Sequence, residues 1–294
     1  MRQLLCLSLV TAALAIVTPT AQEPAPVLFK SSVEQVAVAA LVRDTRGRLV
    51  TNLRHADFEL FEDGRKRSIT DVWSEPSPAS VAILMDASGS MATKMTRARE
   101  VANTLVAGLN PGTDEVAYYS FDTTLQEVRP FSKVTGTTNG AWDGTSAYGA
   151  TSLWDAIAET ARKISDRQRR RALVVITDGV DSASTMKPSE VSSIASSLDV
   201  PVYMLVVSFT VDEEGRNAPV RGAMADLASW TGGDSLAIND TPSIAAATTQ
   251  ILSELHHQYI VAFEPDPDPG WHALMIRARK PGLFVRTRSG YLVK

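Results

Sequence analysis

The chain has 294 residues, of which 44% are hydrophobic and 21% are charged, as in a globular protein of one large domain or two ordinary ones. Its formal net charge of −4 argues against a general nucleic-acid-binding protein. With one cysteine and four histidines, the sequence excludes a disulfide framework, a cysteine-rich zinc site and a haem-attachment motif. Any chemistry is therefore expected to depend on oxygen ligands.

The N-terminus carries a short apolar stretch. Residues 4–17 are mostly apolar and uncharged, and Arg2 precedes them. The stretch is shorter than the ~20 residues that a membrane span needs, and small residues follow it, as in a secretory signal. We therefore predict a signal peptide over residues 1–21 and an exported protein, periplasmic or secreted, with no transmembrane segment in the mature chain. An uncleaved N-terminal anchor is the alternative.

Residues 22–77 form an N-terminal segment with β patterning. Apolar residues at every second position predict a half-buried strand: Val36, Val38, Ala40 and Val42. A second predicted strand contains Phe58 and Leu60 and leads into Asp63-Gly64, a strong hairpin signal. A proline-rich stretch at 74–78 then marks a boundary.

Residues 78–254 differ in pattern and are predicted to form one domain. Apolar runs without alternation, typical of strands buried on both faces of a parallel sheet, occur at 81–85, 173–176 and 202–207. Helical spacing of apolar residues lies between them, at 98–109 and 153–164, and Pro188 opens a further predicted helix. Strands that alternate with helices predict a doubly wound, Rossmann-like α/β domain.

The β pattern returns in residues 255–294. Strands are predicted at 259–263 and 283–287, and His272, Leu274 and Ile276 alternate with other residues between them. Each flanking segment is too small to bury a core by itself. We therefore expect the segments 22–77 and 255–294 to pair with each other in a small β-sandwich-like subdomain.

One motif carries candidate chemistry. Asp86-Ala87-Ser88-Gly89-Ser90 directly follows the apolar run 81–85, so Asp86 lies at the carboxyl end of a central strand, where open α/β sheets bind ligands. Asp86, Ser88 and Ser90 converge on one point if the loop curls, which Gly89 permits. Such hard oxygen donors match Mg²⁺, Mn²⁺ or Ca²⁺. By itself the motif is weak, since Ser90 as a helix N-cap would also explain it.

Two later segments strengthen the prediction. Thr151 opens the next predicted helix, and Asp178 follows the next buried strand, so both lie at the same end of the predicted sheet. The predicted metal site is completed by water and consists of Asp86, Ser88, Ser90, Thr151 and Asp178.

This pattern resembles the metal-ion-dependent adhesion site (MIDAS) of von Willebrand factor A (VWFA) domains. The resemblance covers residues 78–254, and the flanking segments 50–73 and 258–293 resemble those of bacterial VWFA-related proteins of the Acidobacterial type. It implies a divalent cation, foremost Mg²⁺, held by the five side chains, and an open coordination position. A partner protein that presents an Asp or Glu carboxylate would occupy that position.

The expected function is therefore non-enzymatic, metal-dependent capture of a protein partner. One alternative is a structural scaffold of an envelope assembly whose metal only stabilises the fold. Another is a metal-assisted hydrolase. The hydrolase is disfavoured because the sequence contains no GxSxG elbow, phosphate loop, HExxH motif or cysteine nucleophile, and no general base stands out beside the motif.

The remaining polar motifs are interpreted structurally. Asp155 is expected to complement a helix dipole, Asp122 and Asp181 to be loop or supporting residues, and the adjacent pair His256-His257 to be structural, since neighbours do not face the same way. Several C-terminal cations are expected to line one exposed sheet face: Arg277, Arg279, Lys280, Arg286 and Arg288.

Overall fold

The computed structural model describes residues 35–207 and 222–293. The predicted signal peptide lies outside these residues. Among the helices that are described, none is long and apolar enough to cross a membrane.

The predicted strands and helices occur in order along the chain, with further strands and helices between them. The N-terminal part contains β1 (Val36–Asp44), β2 (Phe58–Glu62), β3 (Arg65–Arg67) and β4 (Ile69–Trp73). The middle part contains β5 (Ala79–Asp86), α1 (Met95–Gly108), β6 (Glu115–Phe121), β7 (Leu125–Lys133), α2 (Leu153–Ile164), β8 (Arg170–Thr177), α3 (Pro188–Ser197), β9 (Val202–Val207), α4 (Ala223–Thr231), β10 (Ser235–Ile238) and α5 (Thr241–His256). The C-terminal part contains β11 (Tyr259–Phe263), β12 (Gly270–Ala278), β13 (Leu283–Thr287) and β14 (Gly290–Val293).

The middle part is built on a six-stranded sheet. Its order is β10-β9-β8-β5-β6-β7, and all neighbours are parallel except β7, which is an antiparallel edge. The chain adds strands to one side of β5 first and to the other side from β8 onward. Such a reversal of strand order leaves a crevice at the carboxyl ends of the two central strands. Asp86 and Thr177, the last residues of β5 and β8, border this crevice.

Helices cover both faces of this sheet. On one face, α1 and α5 bury residues such as Val101 and Ile251 against the strands. On the other face, α2, α3 and α4 bury Ile157, Val191 and Leu227. The predicted doubly wound α/β fold is confirmed, and β5 is buried at every position, as its continuous apolar run predicts.

The two flanking segments pair with each other, as expected. One sheet has the order β13-β1-β11-β4 and the other β14-β12-β2-β3, so each contains strands from both ends of the chain. Residues such as Val38, Phe58 and Phe263 form their shared core. In the β2–β3 hairpin, Asp63 and Gly64 both have positive φ (49° and 77°), which agrees with the Asp-Gly turn signal.

The expectation of one exposed basic sheet face is wrong for two of its members. Arg277 and Arg279 are exposed, but Arg286 and Arg288 lie between elements and pair with carboxylates. Their register on β13 and just beyond it turns them toward the α/β part, where acidic residues compensate their charge.

Candidate metal site

The Asp86 side chain lies at the end of β5 and accepts hydrogen bonds from the loop that follows and from the adjacent strand β8. Its side chain is 0% exposed. Oδ1 accepts a hydrogen bond from the main-chain N–H of Ser88 at 2.9 Å, and Oδ2 accepts one from Thr177 Oγ1 at 2.6 Å. Because Thr177 ends the adjacent strand β8, these bonds fix the carboxylate in the crevice between the two strands.

The electrostatic environment of Asp86 favours a cation. Burial raises the pKa of this carboxyl above its ordinary value, the hydrogen bonds from Thr177 and Ser88 lower it, and the Asp178 carboxylate raises it further. A buried carboxylate that a second carboxylate repels is costly unless positive charge compensates it.

The loop after β5 brings the two serines together. Ser88 Oγ and Ser90 Oγ lie 3.2 Å apart, with Ser88 buried and Ser90 exposed. Helix α1 starts only at Met95 with Lys94 at its N-cap position, so the alternative in which Ser90 is merely the N-cap of this helix is wrong.

Gly89 has a different role from the one expected. Its φ lies outside the left-handed region, so the loop does not need a glycine for its curl. Its main-chain N–H donates to the carbonyl of Gly149 at 3.0 Å, and a Cβ at this position would lie 3.3 Å from the same oxygen. The glycine therefore allows the loop to approach the segment that contains Thr151.

Thr151 is held in this segment through its main chain. Its N–H donates to Ser182 Oγ at 3.0 Å, and its carbonyl accepts from the N–H groups of Ser182 and Ala183. The contact between Gly89 and Gly149 places the segment beside the Asp86 loop. The main chain thus joins all three loops of the predicted site.

Asp178 follows β8, and its side chain is 3% exposed. Its Oδ1 accepts a hydrogen bond from the N–H of Val180 at 3.2 Å, and its Oδ2 accepts one from Lys94 Nζ at 2.6 Å. Lys94 Nζ also lies 3.4 Å from the carbonyl oxygen of Ser90. Lys94 and Thr177 are the two site residues that sequence reasoning missed. The available signals were a lysine four residues after Ser90 and a hydroxyl directly before Asp178.

The donor set fits a divalent cation that prefers oxygen. Within the described residues no three His, Cys, Asp or Glu side chains form a metal-binding group. A metal here would instead be held by the hydroxyls of Ser88, Ser90 and Thr151 together with two carboxylates, which is suitable for Mg²⁺ and unsuitable for zinc or copper. As a ligand set, the five residues remain a prediction.

The neighbouring acidic residues have structural partners. The Asp155 carboxylate accepts hydrogen bonds from the N–H groups of Thr185 (2.9 Å) and Met186 (2.8 Å). Asp181 Oδ1 accepts one from the N–H of Leu153 at 2.9 Å. His256 Nε2 lies 3.0 Å from Asp114 Oδ2 at the far end of the molecule. These contacts support the structural interpretation of each residue.

Comparison with known proteins gives one family match and several structural likenesses. The family model of the von Willebrand factor type A domain matches residues 80–230. No curated protein matches the chain. A solved structure described as von Willebrand factor type A from Catenulispora acidiphila is similar with a TM-score of 0.50 and 13% identity, over 90% of this chain and 76% of that chain. This likeness shows the fold alone.

Two solved structures from Bacteroides are also similar over 60% of this chain. They are BatB from Bacteroides thetaiotaomicron (TM-score 0.47, 20% identity, 96% of that chain) and an aerotolerance-related membrane protein from Bacteroides fragilis (TM-score 0.45, 21% identity, 98% of that chain).

Proposed function

Because the chain belongs to the von Willebrand factor type A domain family, we propose that it is an exported interaction module that binds a divalent cation and thereby captures a protein partner. The cation, foremost Mg²⁺, would be held by the predicted set: Asp86, Ser88, Ser90, Thr151 and Asp178. The partner presents an Asp or Glu carboxylate, and no catalysis is part of the proposal. The observation that carries it is the fully buried Asp86 carboxylate at the strand-order reversal, with Asp178 close enough to raise its pKa.

The charges of the site explain why capture would depend on metal. Asp86 and Asp178 supply two negative charges, which balance the two positive charges of the cation, and the hydroxyls of the other three residues are neutral. The bound cation supplies a positive centre for an incoming carboxylate. Without it, the same carboxylate would meet a site of net negative charge and be repelled.

Calorimetric titration with Mg²⁺ and with Mn²⁺ tests the metal site. We expect the parent protein to bind one equivalent of metal. Asp86→Asn and Asp178→Asn should each weaken metal binding by at least about tenfold, because even the loss of a residue that only supports a metal ligand has an effect of that size. Asp166→Asn is the matched control, because Asp166 is 81% exposed and lies at the opposite end of β8 from Asp178. Circular dichroism verifies that each variant folds. Equal heats for the parent and both site variants would contradict the assignment.

Chelation distinguishes capture from a scaffold whose metal is only structural. The protein is immobilised and exposed to native envelope extract and culture medium, with Mg²⁺ or with EDTA, and its melting temperature is measured in both buffers. Loss of a specific partner in EDTA with little change in melting temperature supports capture. A large drop in melting temperature with unchanged partner binding favours the scaffold.

A further inference from the structure

Lys94 lies between two of the predicted metal ligands. Its ammonium donates to Asp178 Oδ2 at 2.6 Å and lies 3.4 Å from the carbonyl oxygen of Ser90. The Lys94 side chain is 21% exposed and that of Asp178 is 3% exposed, so water screens the pair only partly. One positive charge is thus already placed beside the acidic site.

The position of Lys94 is fixed by the elements around it. Lys94 follows Ser90 by four residues and lies between the short 3₁₀ turn Gly89–Met91 and the start of α1. Its main-chain N–H donates to the carbonyl of Met91 at 2.8 Å, and its carbonyl accepts from the N–H of Ala98 at 2.9 Å. The backbone is therefore held at both sides, while the flexible side chain reaches across to β8. Such a side chain can leave Asp178 without moving the loop.

We propose that Lys94 is an internal competitor for the metal: its ammonium neutralises Asp178 in the metal-free protein and must leave this carboxylate when a divalent cation binds. The inference rests on the proposed function, since it concerns the same site. It assigns to Lys94 a role in setting cation affinity, as a positioning residue that acts through Asp178.

The exchange reverses the sign of the local charge. In the metal-free site, two carboxylates and one ammonium leave one net negative charge. With a divalent cation bound and the ammonium still nearby, the same residues leave one net positive charge. A partner carboxylate is then repelled by the metal-free site and attracted by the metal-bound site, whose net charge is one unit more positive than two aspartates and the cation alone would give.

Titration of Lys94→Met with Mg²⁺ and with Mn²⁺ tests this inference, because methionine keeps most of the length of the side chain and removes its charge. We expect tighter binding than in the parent by about tenfold, the value of a partly buried charged hydrogen bond. Lys94→Arg keeps a cation and should bind like the parent. Lys163→Met is the control for the charge change, because Lys163 is exposed in the last turn of α2.

Melting temperatures provide a second measurement. In EDTA, Lys94→Met should melt below the parent, since Asp178 has lost its counter-charge beside the buried Asp86. Saturating Mg²⁺ should raise its melting temperature by more than that of the parent. If Lys94 and Asp178 form only a structural ion pair, Lys94→Met should lower the melting temperature by the same amount with and without metal.

The outcomes separate this inference from the function on which it rests. If the parent binds Mg²⁺ and Lys94→Met binds equally or more weakly, Lys94 is not a competitor, although the metal site stands. If only Lys94→Met binds, the competition is supported and the parent is blocked by its own lysine. If neither protein binds either metal, both the metal site and the competition are refuted.

Discussion

His272 has acceptors at both ring nitrogens. Its Nδ1 lies 2.8 Å from Asp63 Oδ2, and its Nε2 lies 2.7 Å from the carbonyl oxygen of Asp268. Only the charged imidazolium carries N–H groups at both positions. The Asp268 carbonyl and the Asp63 carboxylate accordingly raise the pKa of His272 above its ordinary value of 6.5, although burial opposes them. The N–H of Ala273 and the His272 ring lower the pKa of Asp63 below 3.8.

These shifts predict a pH-dependent contribution to stability. The contribution of His272 is complete below pH 6.5 and disappears as the pH rises through its raised folded-state pKa, while that of Asp63 disappears as the pH falls through its lowered one. The free-energy difference between the parent and His272→Gln should therefore be larger at pH 6 than at pH 9. Urea denaturation at pH 6 and at pH 9 measures this difference, and His257→Gln is the control because His257 is exposed. A difference that grows toward pH 9 would refute the charged pair.

Among the elements, α2 begins without a cap from its own sequence. Ser152 occupies the N-cap position but makes no side-chain cap hydrogen bond. Instead, Asp181 Oδ1 accepts from the N–H of Leu153 at 2.9 Å, Ser184 Oγ accepts from that of Trp154 at 2.9 Å, and Ser184 Oγ donates to Asp181 at 2.6 Å. The loop after β8 thus caps the helix that follows Thr151, so the loops of Thr151 and Asp178 are linked.

Removal of this cap should destabilise the α/β part. We expect Asp181→Ala to lower the free energy of unfolding by about 1–2 kcal/mol, because the amide at the start of α2 loses its acceptor and the carboxylate no longer faces the positive end of the helix. Chemical denaturation measures the loss. Asp166→Ala removes an exposed carboxylate and should change stability by less than about 0.5 kcal/mol. Equal effects of the two substitutions would show that Asp181 does not cap α2.

At the scale of the whole molecule, an ionic cluster around one buried carboxylate joins the α/β part to the β-sandwich. Glu254, near the end of α5, is 0% exposed and pairs with Arg43 of β1 and Arg286 of β13. Arg286 also lies 2.6 Å from Asp234. Two arginines thus face two carboxylates at the junction, so the charges balance within it.

Loss of one charge from this cluster should be costly. Glu254→Gln removes the buried negative charge and leaves the half-buried Arg286 partly uncompensated, so we expect the free energy of unfolding to fall by about 3 kcal/mol. Amide exchange in β1 and β13 should become faster, since α5 holds both strands through this residue. Glu159→Gln is the control, because Glu159 forms an exposed pair with Lys163, which is worth less than about 1 kcal/mol. If exchange in β1 and β13 is unchanged, the cluster does not couple the two parts.

Sequence by itself determined what local chemistry encodes. The continuous apolar runs predicted β5, β8 and β9, and the helical spacing of apolar residues predicted α2 over its full length. The Asp63-Gly64 turn signal predicted the β2–β3 hairpin. These features depend on residues close in the chain, where side-chain periodicity and backbone sterics decide the conformation. The closely spaced positions of Asp86, Ser88 and Ser90 could be identified as a motif for the same reason.

Only the tertiary structure decided which distant groups meet. Lys94 and Asp178 are 84 positions apart, and Asp86 and Thr177 are 91 apart. Arg286, expected on an exposed face, lies instead in the junction with Glu254. No local pattern specifies such partners, because they depend on the order in which strands pair and on how helices pack against the sheet. The sequence thus predicted a site of acidic and hydroxyl oxygens at the carboxyl end of the sheet. Tertiary packing placed a lysine of the same chain beside it.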